Sequence, residues 1–232
     1  MTKDYVELCI RSNFSFLDGG SHPEEYARRS FDLGLKAFAI TDRNSVSGIV
    51  RAHNEIKKLN SSCEHNICNT RLIPGTEINT FDGLVITALA KNRKGWANIC
   101  LLLTKGKIAE KKGVCKIIVD DVLKYGDDIA LLLHLSEKSN HKKWAQLAKR
   151  VISKFPTTAL VLSPKYEGKD PQLFMEASEI ARKLNIRLAA SACPIMHHGS
   201  RRKLIDILRA IHKNCTVEKL GYAAERNAER RI

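Results

Sequence analysis

The sequence predicts an α/β fold in which seven short strands curl into a barrel with helices outside. Three observations carry this. Apolar strand-like runs alternate with segments of helical period; the strand–helix order continues without a linker, internal repeat or low-complexity tract; and seven strands in one unit of 232 residues suit closure better than an open sheet.

The strands are expected at residues 5–10, 37–41, 72–79, 84–90, 129–134, 159–162 and 187–191. The repeated strand–helix order favours parallel pairing throughout. Between the strands, apolar side chains recur at helical spacing: Ile49, Ala52, Ile56 and Leu59; Trp96, Ile99, Cys100 and Leu103; Trp144, Leu147, Ala148 and Val151. Phe174, Ala177, Ala181 and Leu184 form a fourth stripe, and Leu204, Leu208 and Ile211 a fifth. Such stripes read as core-facing packing. Ser21-His-Pro-Glu24 has the spacing of a capping box, and Asp170-Pro171 reads as a cap followed by proline in the first turn.

Composition narrows the function classes. No apolar run reaches the length needed to span a bilayer, and the first ten residues lack a secretory pattern. The seven cysteines are an odd number without a framework spacing, and several lie in apolar runs, which points to reduced thiols and a cytoplasmic protein. Cys63-Glu-His65-Asn-Ile-Cys68 matches no paired zinc knuckle and reads as a surface loop. The net charge of +14 suits a polyanionic partner. Lys91, Arg93, Lys94, Lys105, Lys107, Lys111, Lys112 and Lys116 face a single acid, Glu110, across that stretch. They form either a phosphate-backbone track for weak, sequence-independent DNA binding or a solvated lysine-rich surface.

In a β/α barrel ligands gather where strands end. The residues placed there are Cys9 and Arg11 with "SNFSFLDGGS", Asp42-Arg43-Asn44, Glu77 in "PGTEIN", Val85, Lys165, and "SACPIMHH" from Ser191. His134 closes a strand and is either a pocket residue or a hydrogen-bonded structural histidine. His197-His198 reads as a solvent-facing loop pair.

The stretch "RSNFSFLDGGSHPEEYARRSFDLGLKAFAITDRNSVSGIVRAH" resembles the opening of the PHP (polymerase and histidinol phosphatase) domain of bacterial C-family DNA polymerases. "PGTEI", "LAKNRKGWANICLLLTKGK", "SRRKLIDILRAIHKNCTVEKLG" and the final "ERNAER" continue the likeness in order, with the error-prone branch most similar. The resemblance implies one PHP domain over residues 1–232, folded as a distorted seven-stranded β/α barrel. Active members hold metal ions with histidines and carboxylates at the strand ends and hydrolyse phosphoesters.

Carried over residue by residue, the family's ligand positions fall on Cys9 and Arg11, Asp42 and Arg43, Glu77, Val85, Lys165, Cys193 and Ile195. By this register only Asp42 and Glu77 survive of the family's ligands. Arginine at 11 and 43 would repel a cation and attract a carboxylate by about 4 kcal/mol at roughly 4 Å and an effective dielectric near 20. The expectation is a vestigial pocket, with no catalytic residue and no metal, in which Arg11 or Arg43 pairs with Asp42.

The resemblance further implies a truncated or detached N-terminal piece of an error-prone polymerase of DNA repair and translesion synthesis. The palm, fingers and DNA-binding regions would be absent. Alone, such a piece should not polymerise DNA and takes no cofactor, Mg²⁺ belonging to the parent polymerases. Its partners would be the remaining polymerase regions or other replication and repair proteins, with no membrane. Two other readings stay open: a stand-alone metal-dependent PHP phosphoesterase, and a basic nucleic-acid-binding module.

Overall fold

A computed structural model describes residues 3–62, 69–135 and 141–232. The Cys63–Cys68 stretch lies outside the described residues. The elements in chain order are β1 (Lys3–Ile10), α1 (Pro23–Asp32), β2 (Leu35–Ile40), α2 (Ile49–Ser61), β3 (Arg71–Asn79), β4 (Val85–Ala90), α3 (Arg93–Ile108) and α4 (Val119–Tyr125). There follow β5 (Ile129–His134), α5 (His141–Lys154), β6 (Ala159–Leu162), α6 (Asp170–Leu184), β7 (Arg187–Ala190) and α7 (Arg202–Lys213).

The strands form one curled sheet in sequence order, β1 to β7. Parallel pairing throughout is corrected at β4, which runs antiparallel to both β3 and β5. Only a tight turn separates β3 from β4, and a parallel crossover needs a dozen residues or more. Within that turn Thr80 binds Leu84 through backbone and side chain. Among the described residues no ladder joins β7 to β1, so the sheet curls without closing. Side chains bridge the seam instead. The buried Glu7 carboxylate accepts from the Ala192 N–H at 2.9 Å, from the Ser191 hydroxyl, and from the Tyr5 hydroxyl at 2.6 Å.

Helix starts differ by a residue from those expected. α1 is capped at His22, whose N–H donates to Glu25 Oε2 at 2.8 Å, so the box is His22/Glu25 rather than Ser21/Glu24. Ser21 instead holds His197, its hydroxyl 2.8 Å from Nδ1. Asp170 is already the first helical residue of α6. Its carboxylate accepts from the Lys165 and Tyr166 N–H groups and so fixes the turn before the helix. α6 and α7 both end on an asparagine in the left-handed conformation, Asn185 and Asn214.

Four of the five stripes face the core. Ile99, Leu102, Leu103, Trp144, Ala148, Val151, Ala177 and Ala181 bury against β4, β5 and β6. Ile49, Ala52 and Ile56 meet Ile10, Phe38 and Ile40 under α1. The α7 stripe is displaced: Ile205 and Ala210 are buried, whereas Ile211 is 58% exposed. Inside the curl, Cys9, Ala39, Leu89, Leu132, Val161 and Cys193 make a small inner cluster.

Candidate functional site at the strand ends

Strand alternation decides what reaches the inside of the curl. On β1, Tyr5, Glu7 and Cys9 share a face, and Arg11 follows just beyond the strand. On β2 the apolar run ends at Thr41, whose N–H and hydroxyl both bind the Ile10 carbonyl. Asp42 and Arg43 therefore lie beside Arg11. A parallel bridge between Arg43 and Glu77 extends the β2–β3 pairing, with Glu77 N–H on the Asp42 carbonyl at 3.1 Å.

The two arginines converge on two carboxylates. Arg11 places Nε at 3.0 Å and Nη2 at 2.5 Å from one Glu77 oxygen. Its third donor, Nη1, lies 3.1 Å from Asp18 Oδ2. Arg43 reaches the same Asp18 oxygen through Nη2 at 2.8 Å and the other Glu77 oxygen through Nε at 3.4 Å. The result is a closed ring of two guanidiniums and two carboxylates. Burial alone would raise the Glu77 and Asp18 carboxyls, but the guanidiniums outweigh it and hold both below the usual range.

Asp42 corrects the expected pairing, because neither arginine binds it. Its carboxylate accepts from the Ser12 N–H at 2.8 Å, the Ser12 hydroxyl at 2.7 Å and the Ser15 hydroxyl at 2.8 Å. Burial pushes its pKa up, and these three donors oppose the shift. The loop after β1 thus wraps back over the end of β2. Gly19 lets it do so, since a Cβ there would stand 1.9 Å from the Ser12 carbonyl oxygen.

Of the other positions that the resemblance aligned with ligands, Val85, Lys165 and Cys193 share one cavity with Arg11, whereas Ile195 lies apart in a separate apolar cluster. Cys9 and Cys193 sit in the inner cluster, with Cys9 Sγ 3.7 Å from Thr87 Oγ1 and Cys193 Sγ 3.6 Å from Ser191 Oγ. Val85 starts β4 opposite His134. Ile195 is fully buried beside Met196 and Ile205. A cavity of about 550 Å³ opens where β4 starts and β5 and β6 end, lined among others by Arg11, Val85, His134, Lys165, Cys193 and Arg230. His134 binds Thr87 Oγ1 through Nε2 at 2.8 Å, and burial drives its pKa down to about 4, so the ring is neutral near pH 7. His197 is partly buried on Ser21, while His198 is exposed and caps the short turn at Gly199–Arg201.

The chemistry of this donor set does not fit a metal cluster. Among the described residues no three His, Cys, Asp or Glu side chains converge to hold an ion, and each oxygen of Glu77 already faces a guanidinium. Sequence reasoning overlooked three participants. Asp18 lies within the quoted loop "SNFSFLDGGS" without standing out from it. Glu7 had a signal: an acid between Tyr5 and Cys9 on the inward face of an alternating strand. Arg230, which lines the cavity, lay within the quoted "ERNAER" without standing out from it.

The basic stretch is divided. Lys91, Arg93 and Lys94 stand at the start of α3, whereas Lys105 and Lys107 stand near its end, with Lys111, Lys112 and Lys116 beyond. Lys105 lies eleven positions after Lys94 on the helix, about 16 Å at 1.5 Å per residue. Lys94 pairs with Asp128 at 3.3 Å and Lys105 with Asp121 at 2.5 Å, and Lys116 lies over the Phe81 ring. Among the described residues no helix is long and apolar enough to cross a membrane.

Known proteins place this geometry in context. Over 98% of its length the chain is 31% identical to an error-prone DNA polymerase of Rhodopseudomonas palustris, of which it covers 20%. It is 33% identical to the error-prone DNA polymerase of Dechloromonas aromatica, covering 99% of this chain and 22% of that one. The chain therefore spans about a fifth of the length of these curated relatives. Its fold is similar to that of a candidate metal-dependent phosphoesterase from Bifidobacterium adolescentis, with a TM-score of 0.53, 12% identity, and 81% and 86% of the two chains covered. An amidohydrolase from Chromobacterium violaceum, solved with sulfate and no metal, gives the same TM-score at 11% identity over 82% and 87% of the chains. The PHP domain pattern matches residues 7–193, from the Glu7 seam to Cys193, and with the curled seven-stranded sheet it makes this chain a member of the PHP family.

Proposed function

We propose that this chain is a non-catalytic PHP module of the error-prone DNA polymerase type, acting in a structural or interaction role. The ring of Arg11, Arg43, Asp18 and Glu77 carries the reading. It places fixed positive charge against Glu77, where a hydrolytic relative needs a cation, and it meets the carboxylates' need for donors within the protein. The ring ties the end of β1, the loop after it, the end of β2 and the middle of the β3–β4 hairpin into one rigid corner. The remaining regions of a polymerase, or another replication or repair protein, would dock on that corner.

Elemental analysis after native purification tests the reading, together with phosphatase, exonuclease and primer-extension assays in Mg²⁺ and Mn²⁺. The expected result is no stoichiometric Zn, Mn or Fe and no turnover, because without clustered ions no hydroxide nucleophile forms near neutral pH. Two or three bound ions per chain, or turnover abolished by Glu77→Gln, would establish a metal-dependent phosphoesterase instead.

A further inference from the structure

A second cavity, of about 540 Å³, lies away from the arginine ring, at the opposite end of β3. Arg71, the first residue of β3, stands on its rim, six residues before Glu77 and so about 20 Å away along the strand. Lys91 and Arg93 complete the rim, while Leu72, Pro74 and Trp96 lie along its apolar wall. The size falls within the usual range for small-molecule sites.

Three features give this cavity a chemical preference. Its lining contains no carboxylate. A neighbouring acid, Asp128, is already engaged by the Asn92 side chain at 3.0 Å and by Lys94 at 3.3 Å. Arg71 and Arg93 are exposed and form no ion pair among the described residues. Trp96 is only partly buried; it packs against the cluster around Phe38 and Ile56 yet also lines the cavity. The α3 N-terminus contributes little on its own account, because the Asn92 side chain caps it through the Gly95 N–H at 2.9 Å.

We infer that this cavity binds a nucleotide, with the base against Trp96 and the phosphate on Arg71 and Arg93. An indole lining the same cavity as two guanidiniums outside any ion pair suits a base joined to a phosphate, and an indole stacks on any base with little sequence preference. Arg71 is the decisive member, since it comes from β3 and turns a run of surface cations into a cleft with two walls. The source is a free nucleotide or one nucleotide of a single strand. The inference is independent of the arginine ring at the other end of the sheet.

Intrinsic fluorescence of the full chain tests it, since the only other tryptophan, Trp144, is 3% exposed. Deoxyadenosine monophosphate, a six-nucleotide deoxyadenylate strand and inorganic tripolyphosphate are each titrated at low salt. Saturable quenching by a nucleotide probe is expected, weakened about tenfold by Arg71→Gln or Arg93→Gln and unchanged by Lys111→Gln/Lys112→Gln. Arg71→Lys should recover part of the loss, and circular dichroism confirms that each variant is folded. Quenching by the monophosphate points to a free nucleotide, and quenching by the strand alone to single-stranded DNA; either supports the site. Absence of saturable quenching, equal binding of tripolyphosphate, or binding sensitive only to Lys111 and Lys112 would overturn it.

Discussion

The Arg11 guanidinium seats two donors on a single oxygen of Glu77, and Glu77 is 3% exposed. Removing the arginine would leave a nearly buried carboxylate without its main partner. Arg11→Gln should therefore cost about 3–5 kcal/mol in urea denaturation. The double variant Arg11→Gln/Glu77→Gln should cost less than the two single losses added, by about 1–3 kcal/mol. Strict additivity would mean that the two charges do not sense each other.

Asp42 should behave differently. Its partners are Ser12 and Ser15, so Asp42→Asn and Arg43→Gln should be close to additive in the same assay. Ser12→Ala removes one donor from a buried carboxylate and should cost about 1–3 kcal/mol. A strong Asp42–Arg43 coupling would contradict the geometry of the loop.

Acid should weaken the fold in two stages. His134 has its pKa lowered to about 4 by burial, against about 6.5 when unfolded. Between those values the unfolded chain binds a proton that the native chain refuses, so stability falls as pH falls through this window. The loss by pH 5 should be on the order of 2 kcal/mol at most. Glu77 and Asp18, held low by the arginines, keep their contribution above the ordinary carboxylate range and lose it as pH drops through their lowered values. Urea midpoints between pH 7 and 5 check the first stage. His134→Gln should flatten that slope while leaving the steeper acid limb.

Gly19→Ala should be among the most damaging small changes in the chain. The new methyl would meet the Ser12 carbonyl oxygen at 1.9 Å, forcing the loop away and carrying Asp18 and the Ser12–Asp42 bonds with it. The expected loss is on the order of 3 kcal/mol. Gly83→Ala, at a turn with open space around it, is the comparison: its φ of 115° strains an alanine without any collision. A thermal melt of both variants separates the two effects.

Strand and helix periodicity made most of the fold legible. Two strands, 129–134 and 159–162, have the expected limits. The direction of β4 could have been foreseen from the short link before it. α4 spans seven residues, too few for a periodic stripe to emerge. In α7 the expected stripe was Leu204, Leu208 and Ile211, but the buried face is rotated onto Ile205 and Ala210, where the buried Asp206 accepts the Glu225 N–H at 2.7 Å; an acid on the inner face hid that register. At the site, the sequence placed Arg11, Arg43, Asp42 and Glu77 at neighbouring strand ends but could not say which charge meets which. That choice depends on the loop from Ser12 to Gly19, whose serines take Asp42 and whose Asp18 joins the arginines. No periodicity encodes such a fold-back.

The seam between β1 and β7 has a consequence for biosynthesis. Glu7 and Ser191 are separated by 184 positions. At about 5–20 residues per second, the ribosome takes roughly 10–40 s to deliver the second after the first. Throughout that interval the Glu7 carboxylate lacks its donors from Ser191 and Ala192, and burying it unpaired is costly. The inner face of β1 must stay hydrated while the rest of the sheet is laid down. Joining of the seam is thus a late event in the folding of this domain, and until then the unpaired edge of β1 is a place for a chaperone to bind or for two nascent chains to pair.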